Sequence, residues 1–351
     1  MIKHSYLNDY SEGAHPKILD ALLRTNMVQE LGYGEDSYCR EASELIRGAV
    51  GNPQADVHFL SGGTQTNLTA LSSFLKPFES VIAVDSGHIC VHEAGAIEAT
   101  GHKINLVTGH DGKVLAEEIE AVVAAHTDEH MVRPRTVFIS HSSELGTIYS
   151  KKELEAIASV CRKHNLYLYL DGARLGSALM SRHADISLKE ISALVDIFYI
   201  GGTKNGALLG EALVINNESL KTDFRYSLKQ KGALLSKGRI LGIQFLELFR
   251  DGLFFDLAAN ANEMAEKMTA GISRLGYPFQ TPSQTNQIFP IFPNKVIEAM
   301  NASYQFYTWA KVDEQRSSVR LVTSWAAAPQ DIDEFITDLG TISGNYSAGK
   351  Q

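Results

Sequence analysis

Short apolar runs recur along the first two thirds of the chain and predict buried strands. Most are nearly continuous in hydrophobicity, which is typical of strands covered on both faces. Helical patterns lie between several of them, and this alternation indicates an α/β domain whose mostly parallel central sheet is sandwiched by helices. The runs occupy residues 56–60, 80–85, 103–107, 136–140, 166–171, 196–200 and 211–215.

Two of the intervening helices are clear from their periodicity, at residues 64–75 and 150–165. The second opens with Ser150, and Glu153 follows three residues later. A serine and a glutamate at this spacing form a capping box, in which each side chain bonds the other residue's backbone N–H group. The pattern therefore predicts a helix that begins directly after Ser150.

The pattern changes after about residue 222. Long helical stretches with a break near Gly252 are followed by the strand patterns "QIFPIF" and "SSVRLVTSW" and by the closing helix "DIDEFITDLGTI". We predict a large domain at residues 1–240 and a small α+β domain at residues 241–351. The N-terminal segment is expected to pack on the small domain.

Composition narrows the classes of partner. The chain has 351 residues, of which 44% are hydrophobic and 21% charged, as in an ordinary globular protein with a large core. A net charge of -9 argues against nucleic acid or an anionic membrane as the main partner. No apolar run approaches the roughly 20 residues of a membrane-spanning helix, and no signal-peptide pattern opens the chain. Three widely spaced cysteines indicate neither a disulfide framework nor a zinc site, so we expect no metal and a cytoplasmic location.

Three stretches carry candidate chemistry. In "FLSGGTQTNL" a strand ends, two glycines turn, and Thr64 opens a helix whose free N–H groups suit a phosphate. Asp171 ends an apolar strand at the edge of the sheet where ligands bind in α/β folds. Lys204 follows a buried strand amid glycines, where desolvation lowers an amine's pKa and makes it a nucleophile. Taken singly, a tight capped turn, a helix cap and a loop-tip lysine explain them as well.

The order of the three stretches is more specific than any one of them. A phosphate turn, then a strand-end aspartate, then a lysine about thirty residues later is the layout of an enzyme that uses pyridoxal 5'-phosphate (PLP). That cofactor needs a phosphate anchor, a carboxylate on its ring nitrogen and a lysine that forms a Schiff base with its aldehyde. The sequence therefore predicts PLP as the cofactor.

Six motifs in the same order resemble those of the low-specificity L-threonine aldolases. These belong to the β-eliminating lyase group within the aspartate aminotransferase-like fold type I of PLP enzymes, and the resemblance runs from about residue 6 to residue 340. The motifs are "YGEDSYCREASELI", "SGGTQTNLTAL", "SGHICVHEAGA", "LDGARLGSAL", "GGTKNG" and "VRLVTSW". The resemblance implies the fold type I architecture, with a large domain and a small C-terminal domain.

The resemblance also implies roles for individual residues. Lys204 would form the Schiff base, Asp171 would pair with the ring nitrogen, and His88 would stack on the ring. Arg174 and Arg320 would bind the substrate carboxylate, for which a guanidinium fork is well suited. The implied contacts to the cofactor are made by Gly63, Thr64, His88, Asp171, Arg174, Thr203 and Lys204. The implied contacts to the substrate are made by Asn8, Tyr33, Arg174 and Arg320, with Tyr33 reaching the site of a neighbouring subunit.

Two segments depart from the family pattern on the substrate side. Where the family has "ENTHNG", this chain has "SHSSELGTIY", so that Glu144 takes the place of the family's histidine and His141 that of its glutamate. Either residue could act as the base toward a β-hydroxyl group, although Glu144 would need burial to raise its pKa. In "LNDYSEG", Asn8 stands in for a serine that helps to hold the substrate carboxylate.

The expected reaction is the cleavage of L-threonine, L-allo-threonine or a related L-β-hydroxy-α-amino acid to glycine and an aldehyde. The alternatives are another PLP-dependent amino-acid reaction, namely β-elimination or transamination, and a PLP-binding protein without turnover. A nicotinamide-dependent dehydrogenase is disfavoured because the GxGxxG fingerprint is missing. Enzymes of this fold usually share active sites between subunits, so we expect a homodimer or a homotetramer. Lys237 or Arg239 could offer a cation to a neighbour's phosphate.

Overall fold

The apolar runs form strands with nearly the predicted bounds. The computed structural model describes residues 2–348, so the outermost residues of the two predicted domains, 1 and 349–351, lie outside it. The strands are β1 (His4–Ser5), β2 (Asp56–Leu60), β3 (Glu79–Val84), β4 (Ile104–Val107), β5 (Arg133–Ser140), β6 (Tyr167–Asp171), β7 (Ile197–Gly201), β8 (Glu211–Ile215), β9 (Gln287–Ile288), β10 (Ile291–Pro293), β11 (Tyr304–Gln305), β12 (Tyr307–Lys311) and β13 (Arg316–Val322).

The helices lie between these strands and at both ends of the small C-terminal sheet. They are α1 (Pro16–Thr25), α2 (Ser37–Val50), α3 (Gly63–Phe74), α4 (His88–Val91), α5 (Ala96–Ala99), α6 (Ala116–Ala125), α7 (Lys151–Lys163), α8 (Leu175–Leu179), α9 (Leu188–Leu194), α10 (Phe224–Gln230), α11 (Arg239–Arg250), α12 (Leu253–Arg274), α13 (Asn294–Met300) and α14 (Pro329–Ala348). Within residues 2–348, every helix is too short or too polar to cross a membrane.

A seven-stranded sheet forms the centre of the large domain, in the order β2-β8-β7-β6-β5-β3-β4. Strands β7, β6, β5, β3 and β4 pair in parallel, whereas β8 runs antiparallel to both of its neighbours, β2 and β7. The prediction of a mostly parallel sheet is confirmed. Because β8 is reversed, its first residue lies at the edge where its two neighbours end.

Both faces of the sheet are covered along its central strands, which explains the continuous apolar runs within them. All six residues of β3 are buried. Val81 and Ala83 belong to the hydrophobic cluster on one face, and Ile82 and Val84 to the cluster on the other. Successive side chains of a strand point to opposite faces, so a strand between two helical layers needs apolar residues at every position.

The structure contains both the capping box predicted at Ser150 and the helix break predicted near Gly252. Ser150 caps α7, its hydroxyl accepts a hydrogen bond from the Glu153 N–H group, and the Glu153 carboxylate accepts one from the Ser150 N–H group at 2.7 Å. Gly252 separates α11 from α12 and has a φ of +75°, a left-handed conformation that glycine adopts without strain. The capping box and the helix break are confirmed.

The small domain combines a short antiparallel sheet with three helices. Strands β10, β13 and β12 pair in that order, and β9 also pairs with β13. The N-terminal strand β1 pairs with β11, and Tyr6 lies in the same core cluster as Phe292 and Phe335. The domain boundary at residue 240 stays a prediction. Phe245 of α11 packs in a core cluster of the large sheet, whereas Met264 and Met268 of α12 pack in the core of the small domain.

Candidate active site

A cleft between the large sheet and the small domain collects residues from distant parts of the sequence. Its volume is about 410 Å³. It opens above the carboxyl ends of the parallel strands, where ligands bind in folds of this class. The cleft is lined by Tyr10, His88, His92, Glu144, Arg174, Lys204, Gln287, Tyr307, Thr308, Trp309 and Arg320. Five of these residues were predicted for the site from the sequence.

Lys204 lies in the tight turn that follows β7. A Cβ atom on Gly201 would lie 2.4 Å from the backbone oxygen of Ala173, so only glycine allows the turn to pack this closely. Burial and the nearby Arg174 guanidinium lower the pKa of Lys204, against the opposing effect of Asp9. A lysine in this environment loses its proton more readily and can act as a nucleophile toward a carbonyl group.

Asp171 is buried at the end of β6 and is held by three donors. Its carboxylate accepts hydrogen bonds from the Tyr199 hydroxyl, from Asn67 Nδ2 at 3.1 Å and from the Ala173 N–H group at 3.0 Å. The side chain is therefore fixed in position before any ligand binds. A fixed carboxylate at this edge of the sheet suits the protonated nitrogen of a pyridine ring.

His88 is the first residue of α4 and is paired with a glutamate that the sequence interpretation missed. Its Nδ1 lies 2.7 Å from Glu93 Oε1, which also accepts a hydrogen bond from Asn67 Nδ2 at 2.7 Å. Burial lowers the pKa of His88, but the Glu93 bond and the charge of Asp171 outweigh it and raise the pKa above its ordinary value. The "EAGA" motif was noted in the sequence, but nothing in it indicated this pairing.

The same residues form the one group of potential metal ligands found in the described part of the chain. One ligand atom each from His88, Glu93 and Asp171 lies within 4.8 Å of the others. Asn67 donates to both carboxylates, and the His88 ring is already bonded to Glu93. We interpret the group as a hydrogen-bond network that fixes the imidazole ring beside Asp171.

The glycine turn after β2 leads into α3 as predicted. Gly62 precedes the helix in an extended conformation, and no side chain caps this end. Such an uncapped helix start offers backbone N–H groups to an anion. Gly63 and Thr64 begin the helix, and Gln65 turns back so that its Oε1 accepts a hydrogen bond from Ser61 Oγ at 2.7 Å.

Arg174 is held by a buried aspartate, Asp9, that the sequence interpretation missed. The guanidinium donates from Nε to Asp9 Oδ2 at 2.7 Å and from Nη2 to Asp9 Oδ1 at 3.0 Å. Asn286 donates to the same carboxylate at 2.9 Å. Burial acts to raise the pKa of Asp9, but Arg174 and Lys204 lower it below its ordinary value. The pair fixes the direction of Arg174 and leaves its Nη1 atom for a ligand.

Arg320 supplies a second cation on the opposite wall of the cleft. Its guanidinium carbon lies 5.4 Å from the Tyr307 ring centre and 5.5 Å from that of Trp309. Nη2 donates to the backbone oxygen of Leu7 at 3.0 Å, while Nε is buried without a partner. Burial and the charge of Arg174 lower the pKa of Arg320. A carboxylate placed between the two guanidinium groups would offset the repulsion between them.

Glu144 and His141, the two candidate bases, lie in different environments. Glu144 lines the cleft, and its Oε1 accepts hydrogen bonds from the His88 N–H group at 3.2 Å and from Ser140 Oγ at 2.9 Å. Its Oε2 is buried without a partner. Burial and the charge of Asp171 raise the pKa of Glu144.

The structure does not bring His141 into the cleft. The side chain is buried below it, and its Nδ1 accepts a hydrogen bond from the Tyr149 N–H group at 3.3 Å. Burial and the charge of Lys113 lower the pKa of His141 to about 4, so the ring is neutral at ordinary pH. Of the two residues, Glu144 alone is placed to reach a ligand in the cleft.

Three other predicted residues lie outside the cleft lining. Asn8 Oδ1 accepts hydrogen bonds from the Tyr10 N–H group and from Ser11 Oγ, which stabilises the turn that carries Asp9. Thr203 Oγ1 donates to Glu211 Oε1 at 3.2 Å, beneath Lys204. Tyr33 is 43% exposed and lies in a different part of the chain's surface, so it does not reach this chain's own cleft.

The groups in and below the cleft fit the predicted cofactor. Lys204 offers an amine of lowered pKa, Asp171 a fixed carboxylate, and the turn at Gly63 and Thr64 an uncapped helix start. Two cations, Arg174 and Arg320, remain for the carboxylate of an amino acid. When bound in such a site, PLP supplies an aldehyde that captures the substrate amine and a ring that accepts electrons from a bond broken at Cα.

Comparison with known proteins gives the family. Residues 9–294 match the model of the beta-eliminating lyases. The low specificity L-threonine aldolase of a Pseudomonas species (strain NCIMB 10558) is 30% identical over 344 residues, which cover 96% of this chain and 97% of that protein. The solved structure of the threonine aldolase of Leishmania major matches with a TM-score of 0.96 and 48% identity, over 97% of this chain and 99% of that chain.

A more distant structure confirms the predicted fold type. The aspartate aminotransferase of Thermus thermophilus matches with a TM-score of 0.69 over 96% of this chain and 91% of that chain, at 16% identity. Identity at that level shows a shared architecture alone, whereas the family match and the similarity to the Pseudomonas protein span most of the sequence. The chain belongs to the beta-eliminating lyase family, a family of PLP-dependent lyases, and PLP is its cofactor.

Proposed function

We propose that this enzyme cleaves L-threonine, L-allo-threonine or a related L-β-hydroxy-α-amino acid to glycine and an aldehyde. One observation carries the proposal: Glu144, a carboxylate whose Oε2 has no hydrogen-bond partner, lines the same cleft as Lys204 and the two guanidinium groups. A lyase that breaks the Cα–Cβ bond of such a substrate needs a base for the β-hydroxyl proton. The names of the similar proteins from Pseudomonas and Leishmania agree with this reaction.

The residues of the cleft have distinct roles in this proposal. Arg174 and Arg320 would bind the α-carboxylate and so orient the substrate for cleavage of its Cα–Cβ bond, for which the cofactor would supply an electron-accepting ring. Glu144 accepts the β-hydroxyl proton as the aldehyde forms. His88, fixed by Glu93, packs on the cofactor ring and keeps it in place. Gly63 and Thr64 bind the phosphate, and Asp171 pairs with the ring nitrogen.

The test is a product assay with the PLP-loaded enzyme. We expect L-threonine or L-allo-threonine to yield equal amounts of glycine and acetaldehyde, because Cα–Cβ cleavage produces one of each. Formation of a keto acid instead would indicate β-elimination or transamination. Absence of glycine with every β-hydroxy amino acid tried would refute the proposal, and absence of any product would favour a binding protein without turnover.

We further propose that the enzyme is a homodimer or a homotetramer whose subunits share active sites. Three large apolar side chains in and after α1 are strongly exposed: Leu23 by 76%, Met27 by 88% and Leu31 by 64%. An adjacent groove is lined in part by Lys237 and Arg239, so a second copy bound on this face would lie beside these two cations. Exposed apolar surface of this kind is typical of an interface. A cytoplasmic location stays a prediction.

Replacing Leu31 with glutamate is expected to weaken the assembly, because a charge would be buried at the proposed interface. Sedimentation equilibrium should give two or four times the 38.5 kDa chain mass for the unmodified protein and a smaller mass for Leu31→Glu. Val312→Glu is the control, since Val312 is also exposed, by 42%, but belongs to the small domain. A mass of 38.5 kDa for the unmodified protein at micromolar concentration would contradict the proposal.

A further inference from the structure

Glu211 is a buried carboxyl group between the two parts of the site that would hold the cofactor. It is the first residue of β8 and is 4% exposed. On one side it is in register with Leu60, the last residue of β2, and on the other with Gly201, the last residue of β7. The chain runs from Leu60 directly into the glycine turn before α3, and from Gly201 directly into the turn of Lys204. Glu211 therefore lies between the phosphate turn and the lysine.

The hydrogen bonds of Glu211 leave one carboxyl oxygen free. Oε1 accepts a bond from Thr203 Oγ1 at 3.2 Å. That hydroxyl in turn accepts a bond from the Gly210 N–H group at 2.9 Å, so its own proton is directed at Glu211. Oε2 is buried and has no partner among the residues that the structure describes. A buried polar atom without a partner is costly, which indicates that Oε2 is completed by a ligand.

Burial favours the protonated form of Glu211 over its ionised form. The ionisable groups that face it are Lys204 after β7, Asp171 at the end of β6, and the hydroxyls of Tyr169 and Tyr199. Burial raises the pKa of Glu211 to about 8, with Asp171 adding to the shift and Lys204 opposing it. The glutamate is thus mostly a neutral acid at neutral pH.

The helices that pack on this edge of the sheet add no charge there. From α11, Leu241 and Phe245 pack against Gly210, next to Glu211, and the neighbouring Gln244 accepts hydrogen bonds from the loop before β8. From α3, Asn67 is an uncharged amide that is bonded to Asp171 and Glu93. Lys204 is therefore the cation whose charge acts on Glu211.

We propose that Glu211 in its protonated form donates a hydrogen bond from Oε2 to the phosphate group of the cofactor. This inference rests on the proposed binding of that phosphate by Gly63 and Thr64. A phosphate monoester is close to a dianion at neutral pH, so an ionised carboxylate beside it would repel it. A carboxylic acid in the same place supplies a proton to a strong acceptor and completes its own unpartnered oxygen.

Proton uptake and phosphate binding must then favour each other. The phosphate raises the pKa of Glu211 further, and by reciprocity the protonated enzyme binds the phosphate more tightly. Affinity is fully present below the pKa of the free enzyme, about 8, and is lost as the pH rises through it. With one proton coupled, the dissociation constant increases by up to about tenfold per pH unit above that pKa.

The experiment measures the binding of pyridoxamine 5'-phosphate, which lacks the aldehyde and so forms no bond with Lys204. Its dissociation constant is followed by fluorescence from pH 7 to pH 9.5 with cofactor-free enzyme. For the unmodified protein we expect an increase of up to about thirtyfold over this range, because pH 9.5 lies about 1.5 units above the pKa of about 8. For Glu211→Gln, whose amide donates a hydrogen bond without titrating, we expect a change of less than about twofold. Pyridoxamine without the phosphate should show the same pH profile with both proteins.

Glu211→Met is a second variant that fills the same space with neither a charge nor a donor. It should bind pyridoxamine 5'-phosphate about tenfold more weakly than the glutamine variant at pH 7, since a buried acceptor loses a bond. Parallel pH profiles for the unmodified protein and Glu211→Gln would overturn the inference and assign the titration to Lys204. The reaction is tested separately by the product assay. If binding of pyridoxamine 5'-phosphate depends on pH as expected but no glycine is formed, the proposed cleavage is refuted and the role of Glu211 is retained.

Discussion

Replacing Lys204 with alanine is expected to abolish turnover and to remove the absorption band at ~400–430 nm that PLP shows when joined to a lysine. Lys204 is in the cleft lining, and burial together with Arg174 lowers its pKa, which favours loss of the proton from the amine. No other lysine lines this cleft within residues 2–348. We expect kcat to fall by about 10⁴-fold or more, on the scale of other nucleophile deletions. Absorption spectra of the purified protein with added PLP give the first readout.

Lys152→Ala is the matched control, because Lys152 is an exposed lysine of α7, a helix that lines no part of the cleft. This variant should keep both the band and the activity. PLP should still bind noncovalently to Lys204→Ala, since the groups proposed for the phosphate and the ring nitrogen are unchanged. Persistence of the bonded-lysine band in Lys204→Ala would show that another amine carries the cofactor.

The parts of this fold that depend on local sequence could be predicted. The part of β3 from Val81 to Val84 is buried on both faces and apolar at every position, and this run is visible in the sequence without any partner. The Ser150 cap and the break at Gly252 are likewise short-range features. Because parallel strands end at one edge of a sheet, Asp171 and Lys204 could be placed near each other once their strands were recognised.

The pairings within the site could not be predicted, because they join segments that are far apart in the sequence. Asp9 meets Arg174 across 165 positions, and its role depends on the path of the N-terminal segment beneath the small domain. Asn67 and Asp171 are 104 positions apart. Glu211 looked like the start of an ordinary apolar strand. The role proposed for it depends on the antiparallel direction of β8, which a hydrophobic pattern does not reveal.

The sequence alone also could not decide whether Glu144 or His141 is the base. The two residues are three positions apart in a loop without periodicity, so their side-chain directions could not be deduced from spacing. The structure separates them: Glu144 lines the cleft, whereas His141 accepts a bond from the Tyr149 backbone below it. A sharp test of the proposed reaction therefore rests on Glu144.

Replacing Glu144 with glutamine is expected to lower kcat for L-threonine or L-allo-threonine by about 10²–10⁴-fold, the usual contribution of a general base. Glutamine keeps the size of the side chain and can still accept the bonds from the His88 N–H group and Ser140. It cannot take a proton from the β-hydroxyl group. The dissociation constant for glycine, which lacks that hydroxyl, should change by less than about threefold, because Arg174 and Arg320 are untouched.

The pH dependence of kcat tests whether Glu144 is the base. Burial and Asp171 raise the pKa of Glu144, and only its ionised form is a base, so kcat of the unmodified enzyme should fall as the pH drops through a pKa above the ordinary value for glutamate. That fall should be absent from the residual activity of Glu144→Gln. His141→Gln is the control: its pKa of about 4 and its buried position predict an unchanged profile and a kcat within about twofold. An acid limb that persists in Glu144→Gln but disappears in His141→Gln would reverse the assignment.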